Sequence, residues 1–287
     1  MRAVSYLTRR SANSRGALAF MGGSLLSRAR WSELAEFPLV RWVTLHHPDL
    51  PRGIDGLRLV QVSDVHAGNF MPTARLEQVR DAVTALRPDV IAFTGDQLDR
   101  RDVDSELFVH GFAGIWAPLG TFGVLGNHDH VAGPELAIAA LEAAGITPLV
   151  NQAALVERGG DRLLLAGVDD LDASPGWGAD FSVLQTREVP FKMLLCHQPN
   201  GWLQGRLAGA QITLSGHTHG GQIAFPTRGL NIARLGTRFV AGAYAADERL
   251  LFVSRGVGVG AIPVRYGAPP EIDVITLRRG PVAARIR

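Results

Sequence analysis

Seven residues of this 287-residue chain have the types and spacing of metal ligands: Asp64, His66, Asp96, Asn127, His197, His217 and His219. Asp64 and His66 stand two apart, so in an extended segment a carboxylate and an imidazole project to the same side. Asp96 follows Gly95, which permits a tight turn, and its carboxylate can offer two oxygens to two different ions. Asn127 can contribute a neutral amide oxygen, and the three later histidines add ring nitrogens. A mixed nitrogen and oxygen set without sulfur suits Mn²⁺, Fe or Zn²⁺. Two such ions about 3.5 to 4 Å apart would clamp an in-line displacement at phosphorus, and a water between them would be acidified to hydroxide near neutral pH.

The elements that must position these residues are legible around them. Five apolar stretches, 57–63, 90–93, 122–125, 192–195 and 211–214, have strand character and each runs directly into a short loop bearing Asp, Asn or His. Loops at the carboxyl ends of strands converge in α/β sheets, which is where ligands bind. A single aspartate after a strand is ordinarily a turn residue or helix cap. Five coincidences in one chain argue for a shared site. Between the strands, Thr73 is placed to cap a helix whose Leu76, Val79, Val83 and Leu86 share one face, and a second helix is expected over 105–115. A third is expected over 134–144 with Gly145 as its stop. Arg158-Gly159-Gly160-Asp161 reads as a hairpin turn, and strands are expected over 40–46, 249–254 and 271–277. The fold class is α/β, a layered sandwich of two mixed β-sheets flanked by helices.

Composition sets the remaining bounds. A chain with 46% hydrophobic and 20% charged residues is an ordinary globular protein, and no stretch is long and apolar enough for a membrane-spanning helix. The net charge of +2 does not argue for nucleic acid, and none is expected as a partner. Cys196 is the only cysteine, which excludes an internal disulfide and a thiolate cluster. Residues 1–37 form an arginine-rich leader, with Arg2, Arg9, Arg10, Arg15, Arg28 and Arg30 around a mildly apolar run. Export signal, membrane-interface segment and disordered leader all fit that composition. The rest, 38–287, is expected to be one catalytic domain acting as a monomer.

The five blocks are Asp64-Val65-His66, Gly95-Asp96, Gly126-Asn127-His128-Asp129, His197 and Gly216-His217-Thr218-His219. In this order they resemble the calcineurin-like metallophosphoesterase superfamily, whose signature is D-x-H, G-D, G-N-H-D/E, an isolated H and G-H-x-H. The resemblance covers about residues 38 to 280. It implies that Asp64, His66 and His219 hold one metal, that Asn127, His197 and His217 hold the other, and that Asp96 bridges. It also implies that His128 acts at the leaving-group oxygen as general acid or electrostatic stabiliser, with Asp129 tuning it. Gly95-Asp96-Gln97-Leu98-Asp99-Arg100 partly echoes the longer phosphoprotein phosphatase block, but Arg101 stands where that block has glycine.

The stretches 57–68, 214–222 and 262–266 look closer to a bacterial, membrane-associated branch that includes hydrolases of the lipid A precursor UDP-2,3-diacylglucosamine. That resemblance implies a phosphodiester or pyrophosphate substrate, small or lipid-linked, and a cytoplasmic or inner-membrane-peripheral location over export. Arg100, Arg101, Arg228 and Arg255 are candidates to hold an extra phosphate. A nuclease or cyclic-nucleotide phosphodiesterase is the rival enzyme. A binding scaffold is the rival of another class, and an intact ligand set argues against it. His46, His47 and His110 read as surface imidazoles, and Asp169, Asp170 and Asp172 as a solvated acidic loop. His130 is a candidate to line the pocket, while Trp177, Phe181 and Trp202 read as core residues ahead of an acyl groove.

Overall fold

The strands Val90–Thr94, Thr121–Val124 and Ile212–Ser215 are buried at every position. Continuous apolar runs of this kind belong to strands covered on both faces, and parallel sheets meet that condition. The computed structural model describes residues 2–3, 18–20, 37–185, 188–225, 230–260 and 264–286. Most of the leader, together with Arg228 and Ile262, lies outside the described residues.

Two mixed seven-stranded sheets are formed, and the expected α/β sandwich is what the chain adopts. The first runs in the order Ala283–Ile286, Leu39–His47, Glu271–Arg279, Arg58–Val62, Val90–Thr94, Thr121–Val124 and Thr147–Pro148. Its last four strands are parallel to one another. The second runs Arg2–Ala3, Gly242–Ala246, Arg249–Val253, Ile212–Ser215, Lys192–Leu195, Asp161–Gly167 and Gln152–Arg158, and its central four are also parallel. Leu18–Phe20 pairs with Val264–Tyr266 in a separate ribbon.

Side-chain alternation along each strand builds two cores. Leu59, Ala92 and Val124 face Leu165, Met193, Leu214 and Phe252 between the sheets. Val60, Val62, Ile91 and Phe93 face outward onto Leu76, Val79 and Val83 of the helix Thr73–Ala85 and Phe108 and Phe112 of the helix Asp104–Phe112. Gln61 breaks the apolar interface with a purpose: its Nε2 donates to Thr94 Oγ1 and to the Ser215 carbonyl, each at 2.9 Å, tying one sheet to the other just below the site.

Several local expectations need correction. The first helix is preceded by Pro72, whose preset φ of −70° opens it, so Thr73 lies in the first turn and is not the cap. The second helix ends at Phe112, three residues early, because Ala113 turns extended with ψ 127° and Gly114 then takes a positive φ of 76°. His47 is buried, with Nε2 bonded to the Glu248 carbonyl and its ring edge-on to Phe191. It belongs to the joint between the sheets. Asp169 and Asp170 are fully buried, so the acidic loop is not simply solvated, whereas Trp202 packs in the core against Phe239 as expected. His110 is exposed, as expected. Among the described residues, no helix is long and apolar enough to cross a membrane.

Candidate metal centre

The carboxyl ends of the parallel strands in both sheets deliver their loops to one rim. The loops then leave extended geometry at once: Asp64, His66, Asp96, His217 and His219 all have φ between 49° and 71°. Left-handed backbone costs a non-glycine residue about 1 to 2 kcal/mol, and such strain is held only where the surroundings over-determine it. The bracing is visible in loop-to-loop bonds, with Asp64 N donating to Gly95 O at 3.0 Å, His66 N to Asp96 O at 2.9 Å and Gly216 N to His197 O at 3.0 Å. Asp64 and His66 therefore share a side because of this paired left-handed turn. The extended geometry expected from their spacing is not used. Glycine is demanded by close approach at three of the motif positions, and a Cβ on Gly95 would strike the His197 ring. A Cβ on Gly126 would strike Asp96 Oδ1, and one on Gly216 would strike Ser63 Oγ and Asp64 Oδ2.

All seven expected ligands are brought together. Asp64, His66 and His219 place candidate donor atoms within 4.8 Å of one another, and so do Asp96, His197 and His217. His66 Nε2 lies 3.0 Å from His219 Nε2, and His219 Nε2 lies 3.5 Å from Asp64 Oδ1. In the second group His217 Nδ1 lies 3.2 Å from His197 Nε2 and 2.9 Å from Asn127 Oδ1. Asp96 stands between the groups, its Oδ2 at 3.5 Å from His66 Nε2 and 3.2 Å from His197 Nε2.

The donor set fits divalent ions. Buried imidazole nitrogens facing each other at about 3 Å need a cation or a shared proton between them, and Asp64 Oδ2 is buried without a hydrogen-bond partner among the described residues. An outer contact fixes the tautomer of His197. His197 Nδ1 donates to the Thr94 carbonyl at 2.8 Å, which frees Nε2 for an ion. Burial alone would raise Asp96, but the charge and hydrogen bond of His197, then His66 and His128, hold its carboxyl well below the usual range. His219 is held well below the usual imidazole value by burial and then by Arg265, so it stays neutral as a ligand must.

Arg265 was not singled out from the sequence, although it sits in the noted stretch 262–266. Its guanidinium is fully buried, with Nη2 2.9 Å from His219 Nδ1, and it donates from Nε to Gly258 O at 2.7 Å and from Nη1 to Arg255 O at 2.7 Å. Burial lowers it to about 10.

His128 lies beside the centre and within reach of it, with its ring centroid 4.5 Å from that of His66 in an edge-on pair and its backbone N–H donating to Asp96 Oδ1 at 2.9 Å. The partner of its ring is Asp99, which was missed as a functional residue. His128 Nδ1 donates to the Asp99 carbonyl at 2.7 Å, and Asp99 Oδ1 stands 3.5 Å from the same nitrogen and 3.6 Å from His66 Nδ1. The available signal was the echo Gly95-Asp96-Gln97-Leu98-Asp99-Arg100. Asp129 faces elsewhere: its carboxylate accepts from Leu98 N and Gly126 N, each at 2.9 Å, and burial followed by the charge of Asp96 pushes it up to about 6. It shapes the turn that presents Asn127, at the start of the short helix Asn127–Ala132.

Two candidate arginines are already engaged. Arg101 pairs with Asp104 at 2.8 Å and Arg255 with Glu271 at 2.8 Å, while Arg100 is exposed. His130 bonds Asp169 at 2.7 Å and its carbonyl accepts from Ser174 Oγ, so it clamps the loop at 169–178 onto the helix Asn127–Ala132.

Residues 57–221 match the family described as calcineurin-like phosphoesterase, which is more than half of the chain. The chain belongs to that family. A calcineurin-like phosphoesterase is a metal-dependent phosphoric ester hydrolase, and the clustered His and Asp groups are the residues that could hold its ions. Similar to this phosphoesterase is the uncharacterized metallophosphoesterase YkuE of Bacillus subtilis (strain 168), 33% identical over 80% of this chain and 82% of that protein. The phosphodiesterase YaeI of Escherichia coli (strain K12) is 30% identical over 77% of this chain and 82% of its own length. UDP-2,3-diacylglucosamine pyrophosphatase LpxG of Chlamydia trachomatis serovar D is 28% identical over 84% of this chain and 90% of its own.

Proposed function

We propose that the chain hydrolyses a phosphodiester or pyrophosphate with two divalent ions. The observation that carries the reading is the pair of ligand groups flanking Asp96, with His128 alongside. Asp64, His66 and His219 hold one ion, Asn127, His197 and His217 the other, and Asp96 is shared. Ions held there would supply Lewis-acid polarisation of the phosphoryl group and an acidified water. His128 has Nδ1 occupied by the Asp99 carbonyl, so Nε2 is the nitrogen that can give a proton to the departing oxygen. Burial lowers the pKa of His128, but its bond to Asp99 and the charge of Asp96 outweigh burial and raise it, which favours the proton-bearing form.

Relatives named as a phosphodiesterase and as a UDP-2,3-diacylglucosamine pyrophosphatase support a diester or pyrophosphate over a monoester, and a lipid-linked pyrophosphate belongs among the candidates. The test is a panel at fixed, saturating Mn²⁺: an aryl monoester, an aryl diester, a cyclic nucleotide, a nucleic acid and UDP-2,3-diacylglucosamine. Diester or pyrophosphate turnover above monoester turnover is expected. Monoester preference, or no turnover in a folded, metal-loaded protein, overturns the reading.

A further inference from the structure

Beside the second ligand group lies a cavity of about 280 Å³ that reaches His217. We propose that it is the subsite for the non-reacting alcohol of the ester, and that it takes an uncharged hydroxyl-bearing group such as a glycerol or sugar moiety. The proposal rests on the phosphoesterase reading above and extends it to the substrate. Small-molecule sites span about 300 to 1,000 Å³, so this one suits a single polyol or ring and not an acyl chain with its headgroup.

The lining mixes polar and apolar residues and, apart from His217, carries no ionisable side chain: Gln198 and Asn200 provide amides, the hydroxyls of Thr218 and Thr237 are bonded within the protein, and Pro199, Ala233 and Gly236 complete it. A second phosphate would find no cation in it. Gln198 has an imposed orientation. Its Nε2 donates to Asp170 Oδ1 at 3.0 Å and to Asp172 Oδ2 at 2.8 Å, so both amide protons are spent and what it offers the cavity is the acceptor Oε1. This gives the buried Asp170 a task beside the site. Thr237 Oγ1 donates to Asn200 Oδ1 at 2.9 Å, which leaves Nδ2 as the donor of the Asn200 amide. Of the two lining amides, one is left to accept and the other to donate. A hydroxyl, which does both, satisfies the pair, whereas a methyl ester leaves both amides to water.

The test uses two diesters with the same 4-nitrophenolate leaving group, one esterified to glycerol and one to methanol, with Mn²⁺ present. The wild-type protein should favour the glycerol ester by about tenfold in kcat/KM, expressed in KM, the scale of one or two added hydrogen bonds. Gln198→Met and Thr237→Val, each checked for fold by circular dichroism and for metal content, should bring that ratio to within about twofold of unity. Equal kcat/KM for both esters in the wild type, or an undiminished ratio in both variants, overturns the subsite. Turnover of neither ester by folded, metal-loaded protein overturns the phosphoesterase reading itself, and the subsite goes with it.

Discussion

Asp99 holds His128 twice, through a 2.7 Å bond from Nδ1 to its backbone carbonyl and through a carboxylate oxygen 3.5 Å from the same nitrogen. The backbone bond sets the ring's orientation, and the carboxylate raises its proton affinity. Asp99 is itself held below the ordinary carboxylate range: burial raises it, but the adjacent His128 and His66 rings prevail. It therefore stays ionised beside His128 across the working pH range.

This pairing separates two roles by mutation. His128→Gln should reduce kcat by about 10² to 10⁴-fold, the usual scale of lost acid catalysis, with metal content unchanged. The loss should be larger for an alkyl than for a 4-nitrophenyl leaving group, which needs less protonation. Asp99→Asn keeps the backbone bond and removes only the charge. Its kcat/KM profile should lose activity on the alkaline side at lower pH than wild type, since less proton affinity remains at His128. An unmoved alkaline limb in Asp99→Asn would show that the carboxylate does not tune His128.

Metal content should report the shared ligand. Asp96→Ala is expected to lose both ions, whereas Asn127→Ala should retain the ion of the Asp64, His66 and His219 group. Metal analysis after equilibration in Mn²⁺ and gel filtration decides this. Because the ligand atoms converge only in the folded chain, Mn²⁺ should also raise the melting temperature, and a chelator should reverse the rise. Saturation a hundredfold above Kd corresponds to about 2.7 kcal/mol of stabilisation per site.

Gly126→Ala and Gly216→Ala test whether the ligand loops tolerate any slack. The added methyl would occupy the position of Asp96 Oδ1 in one case and of Ser63 Oγ and Asp64 Oδ2 in the other. Loss of activity of at least about 10²-fold, with reduced metal binding, is expected because displacements near 1 Å at a reacting centre have that effect. Wild-type activity in either variant would mean that the loops relax freely.

The His130–Asp169 pair predicts a pH-dependent stability. Burial lowers the pKa of His130, but the hydrogen bond to Asp169 outweighs it and the net direction is upward. A raised folded-state pKa means that the folded protein binds the proton more tightly than the unfolded chain. The stabilisation is thus complete below the unfolded value of about 6.5 and is lost as pH rises through the raised folded value. The melting-temperature gap between wild type and His130→Gln should be widest near pH 6 and shrink toward alkaline pH. A gap that widened on the alkaline side would contradict this.

The amino-acid sequence by itself determined the strands, their order of chemistry and the seven candidate ligands. Those signals are local: an apolar run such as Val90–Phe93 next to Gly95-Asp96 is visible without knowing what lies across from it. What only the tertiary structure decided is which side chain meets which. Asp129 follows His128 in the chain, yet Asp99, on another loop, holds the ring, because the helix starting at Asn127 turns the Asp129 carboxylate back onto Gly126 N and Leu98 N. Arg265 reaches His219 from 46 residues away, and His47 and Asp170 are buried although their neighbours in sequence look like turns. The seven candidate ligands themselves close together through left-handed backbone at five of their positions. Sequence spacing cannot announce that conformation, since loop-to-loop bonds formed only in the folded sandwich hold it in place.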